Sequence, residues 1–309
     1  YTNSFNNYGR FGGGSCPFPP AIPAIWEQLG PVANGTTTGI AGQIHRIYFH
    51  PGYDATSNNK MYASSGFGGL WKSDNAAASW TLMNTDNAFA FCGVADVAVC
   101  EVSGVDWIYV ATGYPDGRLA EDLSPNVANV NPLFTQGVYR TNDDGSLWEP
   151  VDGGLMTNYF ANGGVIRRIV VEPGNPDKII IASSSGIIYS SNATSITPTW
   201  NVGTLSGNPL IDPAFRGMEF NNADPDIVYA SGTDIYRSDD GGITWSSTTG
   251  FGTGLDWASL LSGFNFTPLR INLATDPSNS NYIYAYVMGN GRMFLFRYDE
   301  STALWTQIL

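Results

Sequence analysis

The chain has 309 residues, a formal net charge of −13 and only 14 Lys and Arg residues, so it lacks the basic surface by which proteins bind nucleic acids and anionic membranes. Its 36 glycines, with 13% aromatic and 13% charged residues, favour short strands joined by tight turns and predict an all-β protein with almost no helix. No apolar stretch reaches the roughly 18 residues that a membrane-spanning helix needs.

The first 25 residues stand outside the pattern of the rest of the chain. They combine Gly12–Ser15 with the proline-rich stretch Pro17–Pro20, a composition typical of a flexible and then extended linker. The next segment, Trp26–Pro31, resembles strand starts found later, at Trp148 and Trp305. We therefore predict an extended arm over residues 1–25 and one β domain over residues 26–309, with an outer strand at Trp26.

A turn motif of the form S/T-x-D-x-G-x-T-W recurs along the chain. Its complete copy is Ser238–Trp245, while Thr141–Trp148 departs at one position and Ser73–Trp80 at several. In such a motif Asp or Asn accepts backbone N–H bonds, Gly supplies a positive φ, and Trp buries a large apolar surface between repeat units. The residues with these structural roles are Ser73, Asn75, Trp80, Thr141, Asp143, Gly145, Trp148, Ser238, Asp240, Gly242 and Trp245.

Five repeat units follow one another, closing at Trp80, Trp148, Trp200, Trp245 and Trp305. In each unit an apolar strand such as Ile166–Pro173 is followed by an Ile/Val-Tyr-Ala strand such as Val228–Ala230 or a relative of it. A third strand leads into the turn motif, and the fourth starts at the tryptophan. Radial repetition of four strands predicts a β-propeller with five complete four-stranded blades. Basic residues precede four of the motifs or their remnants, and we interpret them as features of blade design on a solvated strand: Lys72, Arg140, Arg237 and Arg297.

The strand at Trp26 is one outer strand more than five complete blades require. Its inner partner strands are then missing from the repeat pattern, and a ring without them would expose two sheet faces. We therefore expect the remaining blades to come from a longer polypeptide or from a partner chain.

The turn motif resembles the Asp-box, or BNR, repeat of β-propellers that include sialidases, xyloglucan-active glycosidases and sortilin-type receptors. The closer likeness is to the N-terminal propellers of large Bacteroidetes proteins secreted by the type IX system. That likeness spans roughly residues 26–309, in stretches such as Trp26–Pro31, Gly68–Trp71 and Tyr109–Gly113. The resemblance implies an extracellular or cell-surface propeller that serves in adhesion or binds a glycan or a protein.

The resemblance also points to positions where catalytic residues would stand. In xyloglucanase-like propellers the first blade carries Arg-Thr-Asp-Ile-Gly-Gly with a catalytic Asp, and Gly66 stands at that position in the matching stretch Ser64–Gly69. No sialidase-like Phe/Tyr-Arg-Ile-Pro segment occurs. We therefore expect a non-catalytic binding or scaffold module without a cofactor. The alternatives are a sialidase- or xyloglucanase-like glycoside hydrolase with an unrecognised carboxylate pair, and sortilin-like peptide binding in the channel.

Arginines gather near the start of the innermost strands of four units: Arg46, Arg167, Arg168, Arg216 and Arg270. This position predicts that they surround one mouth of the central channel, where planar guanidinium groups suit a carboxylate or phosphate ligand. The alternative is that they pair with Asp96 and Glu219, which lie on the same type of strand. His45 and His50 fall on opposite faces of one strand, and we assign them structural roles.

Two loops carry further candidate ligand-binding residues. The acidic loop Gly113–Asp122 offers oxygen ligands for Ca²⁺, from Asp116, Glu121 and Asp122, and a plain solvated loop is the alternative. The loop Phe251–Phe266 contains Trp257, which could dock a sugar or a protein or else pack against the next blade.

The three cysteines, Cys16, Cys92 and Cys100, are too few for a disulfide scaffold. Because Val94–Val99 reads as an extended strand, Cys92 and Cys100 are predicted to lie too far apart for a disulfide, which needs Cα atoms within about 7 Å. A bond from Cys16 to either of them is the alternative.

Overall fold

The computed structural model is an all-β molecule whose five small antiparallel sheets are arranged as the blades of a five-bladed β-propeller. It describes residues 44–54, 56–89, 93–115, 134–212, 215–247, 270–276, 278–289 and 291–308. These residues belong to one unit, Gly42–Leu309. The predicted fold class and the five blades are confirmed.

The first three blades each consist of four strands that are hydrogen-bonded in chain order. Blade 1 contains β1 (Arg46–Phe49), β2 (Met61–Ser65), β3 (Gly69–Ser73) and β4 (Thr81–Leu82). Blade 2 contains β5 (Val94–Val102), β6 (Val105–Thr112), β7 (Val138–Thr141) and β8 (Glu149–Pro150). Blade 3 contains β9 (Ile166–Glu172), β10 (Asn175–Ser183), β11 (Gly186–Ser190) and β12 (Asn201–Val202). The first strand of each blade is innermost and contacts the first strand of the next.

A short hairpin follows blade 3 and joins the sheet of blade 4. It consists of β13 (Thr204–Leu205) and β14 (Asn208–Pro209). Blade 4 contains β15 (Gly217–Phe220), β16 (Val228–Ser231), β17 (Ile235–Ser238) and β18 (Thr244–Ser247). Because β13 pairs in parallel with β18, this sheet has six strands instead of the four that the repeat predicts.

Blade 5 contains β19 (Arg270–Thr275), β20 (Tyr282–Gly289), β21 (Arg292–Asp299) and β22 (Leu304–Gln307). The helices of the described chain are two single turns, α1 (Thr85–Ala88) and α2 (Leu155–Tyr159). Among the described residues no helix has the length and apolar character that crossing a membrane requires.

The turn motif is held by bonds from its own side chains. In blade 4, Ser238 Oγ accepts the N–H of Gly242 at 2.8 Å and Asp240 Oδ1 accepts that of Thr244 at 2.8 Å. In blade 1 the diverged copy keeps both bonds, because Ser73 Oγ accepts the N–H of Ala77 at 2.9 Å and Asn75 Oδ1 accepts that of Ser79 at 2.8 Å. The motif's geometry therefore tolerates Asn in place of Asp, since both offer a side-chain oxygen at the same position.

Four hydrophobic clusters fill the spaces between successive blades. Representative pairs across the boundaries are Tyr62 with Val97, Tyr109 with Ile181, Ile180 with Val228 and Tyr229 with Phe296. Fully burying one such side chain contributes about 1.5–3 kcal/mol. The closing tryptophans reach back across the boundaries, as shown by the indole N–H of Trp148, which donates to Met83 O of blade 1 at 3.0 Å. Trp200 makes the equivalent bond to Val151 O of blade 2 at 3.2 Å.

Cys100 lies on β5 as a buried free thiol. The strand that the sequence predicts over Val94–Val99 continues to Val102. Cys16 and Cys92 lie outside the described residues.

Candidate functional site

A cavity of about 250 Å³ lies where the innermost strands of all five blades meet. All five arginines that the sequence places near the start of these strands line it, together with residues that include Asp96, Asn272 and His45. The five are Arg46, Arg167, Arg168, Arg216 and Arg270. The propeller thus brings to one place side chains that are up to 224 positions apart, from Arg46 to Arg270 (270 − 46).

Arg168 is the buried member of this group, at 2% exposure. Its Nη1 donates to Asp96 Oδ2 at 2.9 Å and its Nη2 donates to Glu219 Oε1 at 2.7 Å. Its Nε donates to the carbonyl of Met218 at 3.1 Å. The guanidinium of blade 3 is therefore bonded to blade 2 on one side and to blade 4 on the other.

Arg46 of blade 1 reaches the same two carboxylates. Its Nη2 donates to Glu219 Oε1 at 3.3 Å, and its Nε lies 3.4 Å from Asp96 Oδ1. We call Arg46, Asp96, Arg168 and Glu219 the central quartet. Two arginines and two carboxylates balance in charge, so for Arg46 and Arg168 the structure shows the ion pairing that the sequence offers as the alternative to ligand binding.

Burial and neighbouring charges shift the pKa values of Arg168 and of the adjacent Tyr48. Burial lowers the pKa of Arg168, but the nearby carboxylates of Asp96 and Glu219 outweigh it and hold that pKa above its ordinary value. Tyr48, whose hydroxyl donates to Val99 O at 3.3 Å, has a raised pKa because it is buried. The contacts of Arg168 with Asp96 and Glu219 make the quartet a structural ion-pair network.

The other three arginines, Arg167, Arg216 and Arg270, lie on the cavity wall outside the quartet, and we call them the rim arginines. Arg270 is exposed, and its Nε donates to Asn272 Oδ1 at 3.1 Å. Within the described part of the chain it makes no ion pair. Asp96 is the one carboxylate among the described wall residues, and the quartet already uses it.

Gly66, which the sequence resemblance matches to a catalytic Asp of xyloglucanase-like propellers, has no room for a larger side chain. Gly66 is buried in the turn between β2 and β3, and a Cβ added to it would lie 2.6 Å from Cδ2 of Tyr114 and 2.8 Å from Nε2 of His45. The rings of His45 and Tyr114 pack edge to face with their centroids 4.8 Å apart. Two aromatic rings thus occupy the space that an Asp side chain would need.

The carboxylates at the centre do not form a hydrolytic pair. Asp96 is 1% exposed, and its Oδ2 accepts bonds from Arg168 and from the N–H of Ile169 at 2.9 Å. Glu219 accepts from both quartet arginines. Glycoside hydrolysis needs one carboxyl group to give up a proton and another to act as base or nucleophile beside the sugar. Neither carboxylate at the described centre is placed for such work.

A second polar cluster, which sequence reasoning missed, surrounds His50. His50 Nε2 lies 2.8 Å from Asp106 Oδ1 and 3.7 Å from Glu101 Oε2, distances that would also let the three side chains hold a metal ion. The N–H of Gly52 donates to Nδ1 at 3.0 Å, so Nδ1 is the acceptor and the neutral ring donates from Nε2 to Asp106. Lys60 Nζ also lies 2.8 Å from Asp106 Oδ2. The structural role that the sequence predicts for His50 stays a prediction. Asp106 could not be linked to His50 from the sequence pattern because it belongs to another blade.

Four of the residues predicted to bind a ligand or a metal lie outside the described residues: Asp116, Glu121, Asp122 and Trp257. The calcium and aromatic docking hypotheses therefore stay predictions.

Solved structures of similar fold include three GH74 propellers. An ancestral GH74 enzyme superposes with a TM-score of 0.55 at 20% identity, covering 92% of this chain and 32% of its own. The GH74 xyloglucanase from Xanthomonas campestris superposes with a TM-score of 0.54 at 15% identity, and the match covers 86% of this chain and 38% of the xyloglucanase. The Niastella koreensis GH74 enzyme superposes with a TM-score of 0.58 at 17% identity, and the match covers 86% of this chain and 37% of that enzyme.

This chain therefore spans about a third of the length of these enzymes. At such identities the likeness shows the β-propeller fold alone. No protein-family model matches the sequence, and no curated protein matches it.

Proposed function

We propose that this chain is a non-catalytic binding propeller of the Asp-box type, which holds an anionic group of a glycan or protein at its rim arginines. The observation that carries the proposal is the exposed Arg270 on a cavity whose one described carboxylate, that of Asp96, is already paired with Arg46 and Arg168. An arginine that has no carboxylate among the described residues, beside others of like charge, favours an incoming carboxylate, sulfate or phosphate.

The size and character of the cavity support recognition of a single charged group. About 250 Å³ is less than drug-sized ligands usually fill, so we infer that the cavity takes the acidic substituent of a larger molecule. Because the whole chain carries a net charge of −13, a local positive site of this kind would orient an acidic ligand toward the channel mouth and repel it elsewhere.

Two observations favour binding over hydrolysis. His45 and Tyr114 fill the space beside Gly66 where the catalytic Asp of xyloglucanase-like propellers would stand. Asp96 and Glu219 are both committed to Arg168. The likeness to GH74 enzymes extends to the fold and supplies no catalytic group. An extracellular or cell-surface location, with a role in adhesion, follows from the resemblance of the repeat to secreted propellers and is part of the same proposal.

The test is a glycan array that contains sialylated, uronic-acid, sulfated and neutral oligosaccharides, followed by mass spectrometry of each bound glycan after prolonged incubation. The proposal expects binding to acidic glycans, weakening as salt is raised, with every glycan recovered intact. Cleavage of any glycan would contradict the non-catalytic part, and equal binding of acidic and neutral glycans would contradict the role of the arginines.

A further inference from the structure

The same cross-strand pair of side chains recurs in four blades. In each, a tyrosine on the second strand stands directly opposite a basic residue on the third. The pairs are Tyr62 with Lys72, Tyr109 with Arg140, Tyr229 with Arg237 and Tyr284 with Arg297. Residues opposite each other in a sheet point to the same face, so each blade presents a phenol and a cation side by side. We call this arrangement the latch pair.

In blades 1, 2 and 4 the latch cation bonds to the turn before the fourth strand of the following blade. Lys72 Nζ donates to Asp144 Oδ1 of blade 2 at 2.8 Å, and Arg140 Nη1 donates to Ser195 O of blade 3 at 3.0 Å. Arg237 binds Glu300 of blade 5 with two bonds, at 2.8 Å and 3.0 Å. The acceptor in each case is a carboxylate or a backbone carbonyl.

The tyrosine of the pair is buried by the same contact. Tyr62, Tyr109 and Tyr229 are all 0% exposed. Tyr109 donates to Pro176 O of blade 3 at 2.5 Å, and Tyr229 donates to Glu300 of blade 5. The latch pair is therefore the contact by which a blade binds the blade that follows it. The prediction that these basic residues lie on a solvated strand is wrong, because the cations of blades 1, 2 and 4 lie at blade boundaries.

The latch pair of blade 5 is more exposed than the other three, and within the ranges that the structure describes its cation lacks their hydrogen bonds to a following blade. Tyr284 is half-buried, unlike its three counterparts. The Nε of Arg297 is buried and has no hydrogen-bond partner among the described residues, and its guanidinium carbon lies 4.4 Å from the centroid of the Tyr282 ring. On the same face of the sheet, Met293 is 57% exposed. A buried donor without an acceptor is costly, so the pair is built for a contact that the described residues do not make.

The first blade shows the opposite half of the same interface. Trp80 is only half-buried, whereas Trp148 and the other closing tryptophans are buried against the blade that precedes each of them. Ile47 and Phe49 on β1 are each 53% exposed. Among the described residues, no hydrophobic cluster joins blade 5 to blade 1.

We propose that the latch pair of blade 5 binds a further β-blade of the same repeat, placed in series after blade 5. The latch contact that it would repeat already exists three times in the molecule, from blades 1, 2 and 4, and these contacts indicate the chemistry of the partner. That blade offers Arg297 a carboxylate or backbone carbonyls in the turn before its fourth strand, as Glu300 does for Arg237. It also covers Tyr284 and Met293 with apolar side chains of its first two strands, as blade 5 covers Tyr229.

Two other occupants fit less well. Blade 1 has Ala76 at the turn position where blade 2 has Asp144, and its neighbouring Asp74 already lies 3.1 Å from Lys72 Nζ, so it offers no carboxylate to Arg297. A symmetric pair of two blade 5 faces would bring two Arg297 side chains together, and like charges repel.

The test extends the full chain after Leu309 with a second copy of residues 248–309, so that the copy's Glu300 and Trp305 follow blade 5 through the natural connector. The added copy carries Tyr284→Phe and Met293→Leu, so that the tyrosine and methionine signals at these two positions come from the first copy alone. Hydroxyl-radical footprinting then compares the modification rates of Tyr284 and Met293 in the original and the extended protein, and size-exclusion chromatography with light scattering gives the mass of each. The proposal expects both proteins to be monomers and both rates to fall several-fold in the extended protein.

The protection of Tyr284 and Met293 should depend on the contact between Arg297 of the latch pair and Glu300 of the added copy. Arg297→Ala in the first copy, or Glu300→Gln in the added copy, should restore the original rates, whereas Ser301→Ala in the added copy, next to Glu300, should not. Unchanged rates at both residues would overturn the proposal. So would protection that is indifferent to Arg297, or a dimeric original protein in which Tyr284 is already protected.

Discussion

The guanidinium of Arg168 and the carboxylate of Asp96 meet at 2.9 Å across the boundary between blade 3 and blade 2, and both side chains are almost completely buried. The same guanidinium holds Glu219 of blade 4. A single arginine thus fixes three inner strands around the channel.

Removing Asp96 should destabilise the protein severely. Asp96→Ala leaves the charge of Arg168 buried with one partner fewer, and breaking a buried ion pair in this way costs about 3–5 kcal/mol. Arg46→Ala is the matched control, because its side chain is a third exposed and the expected loss is below about 1 kcal/mol. Urea unfolding followed by tryptophan fluorescence measures both. Equal effects of the two variants would show that the quartet is not a buried structural network.

Adding a side chain at Gly66 should strain the channel mouth. Gly66→Ala would push a methyl group against the rings of Tyr114 and His45, and overpacking of this kind costs about 1–3 kcal/mol. The control is Gly68→Ala, where the nearest atom to the new methyl is Ser65 Oγ at 3.1 Å rather than 2.6 Å away, and a smaller loss is expected. Thermal unfolding separates the two. A Gly66→Asp variant that is as stable as the original would contradict the close packing described at this turn.

The turn motif of blade 4 should give the protein part of its sensitivity to acid. Partial burial raises the pKa of Asp240, but hydrogen bonds from Thr244, Ser238 and Ile243 outweigh it, and the pKa lies below its ordinary value. An acid whose pKa is lowered by folding stabilises the fold above its unfolded pKa of about 3.9 and loses that stabilisation as the pH falls through the folded pKa.

Asp240→Asn keeps the acceptor oxygen without the titration, as Asn75 does in blade 1. We therefore expect this variant to lose less stability than the original protein as the pH falls below about 4, whereas Asp240→Ala should cost about 0.5–2 kcal/mol at neutral pH. Unfolding midpoints measured at a series of pH values test both. Identical acid profiles for Asp240→Asn and the original protein would refute the assignment.

The latch contacts should differ in strength with their burial. Arg140 is 6% exposed and bonds to carbonyls of the next blade, so Arg140→Ala should cost about 2–3 kcal/mol. Lys72 meets Asp144, whose side chain is 61% exposed, so Lys72→Ala should cost less than about 1 kcal/mol. A double-mutant cycle with Asp144→Ala measures the second pair directly. A larger loss at Lys72 than at Arg140 would reverse the order that burial predicts.

Local features of this protein could be predicted from the sequence because they depend on residues close together in the chain. The turn motif is such a feature, since Asp240 and Thr244 lie on one hairpin and bond to each other. The five blades follow from the same motif and from the alternation of apolar residues in the strands between copies. The positions of the arginines at the inner strands follow from the same repeat.

Contacts between blades were harder to predict, because the pattern along a strand gives the face of a side chain but not the distance to the next blade. The sequence pattern predicts a solvated strand for Arg237, whereas in the structure Arg237 holds Glu300 of the following blade. The cluster at His50 joins it to Asp106, 56 positions away. From the sequence, ion pairing and ligand binding are alternatives for all five arginines. The geometry separates the arginines into two groups, with Arg168 in the ion-paired quartet and Arg270 on the rim.

Calorimetric titration with an oligogalacturonate and with its neutral, carboxyl-reduced counterpart measures directly whether the channel mouth recognises negative charge. If the rim arginines hold an anionic group, the acidic oligosaccharide binds and the neutral one does not. Arg270→Ala then weakens binding about tenfold, the loss of about 1.4 kcal/mol expected for one charge-assisted contact, while Lys60→Ala, at the end of β2 remote from the Arg46 pairing, leaves it unchanged. Equal affinity for the two oligosaccharides, or binding indifferent to Arg270, would contradict the account.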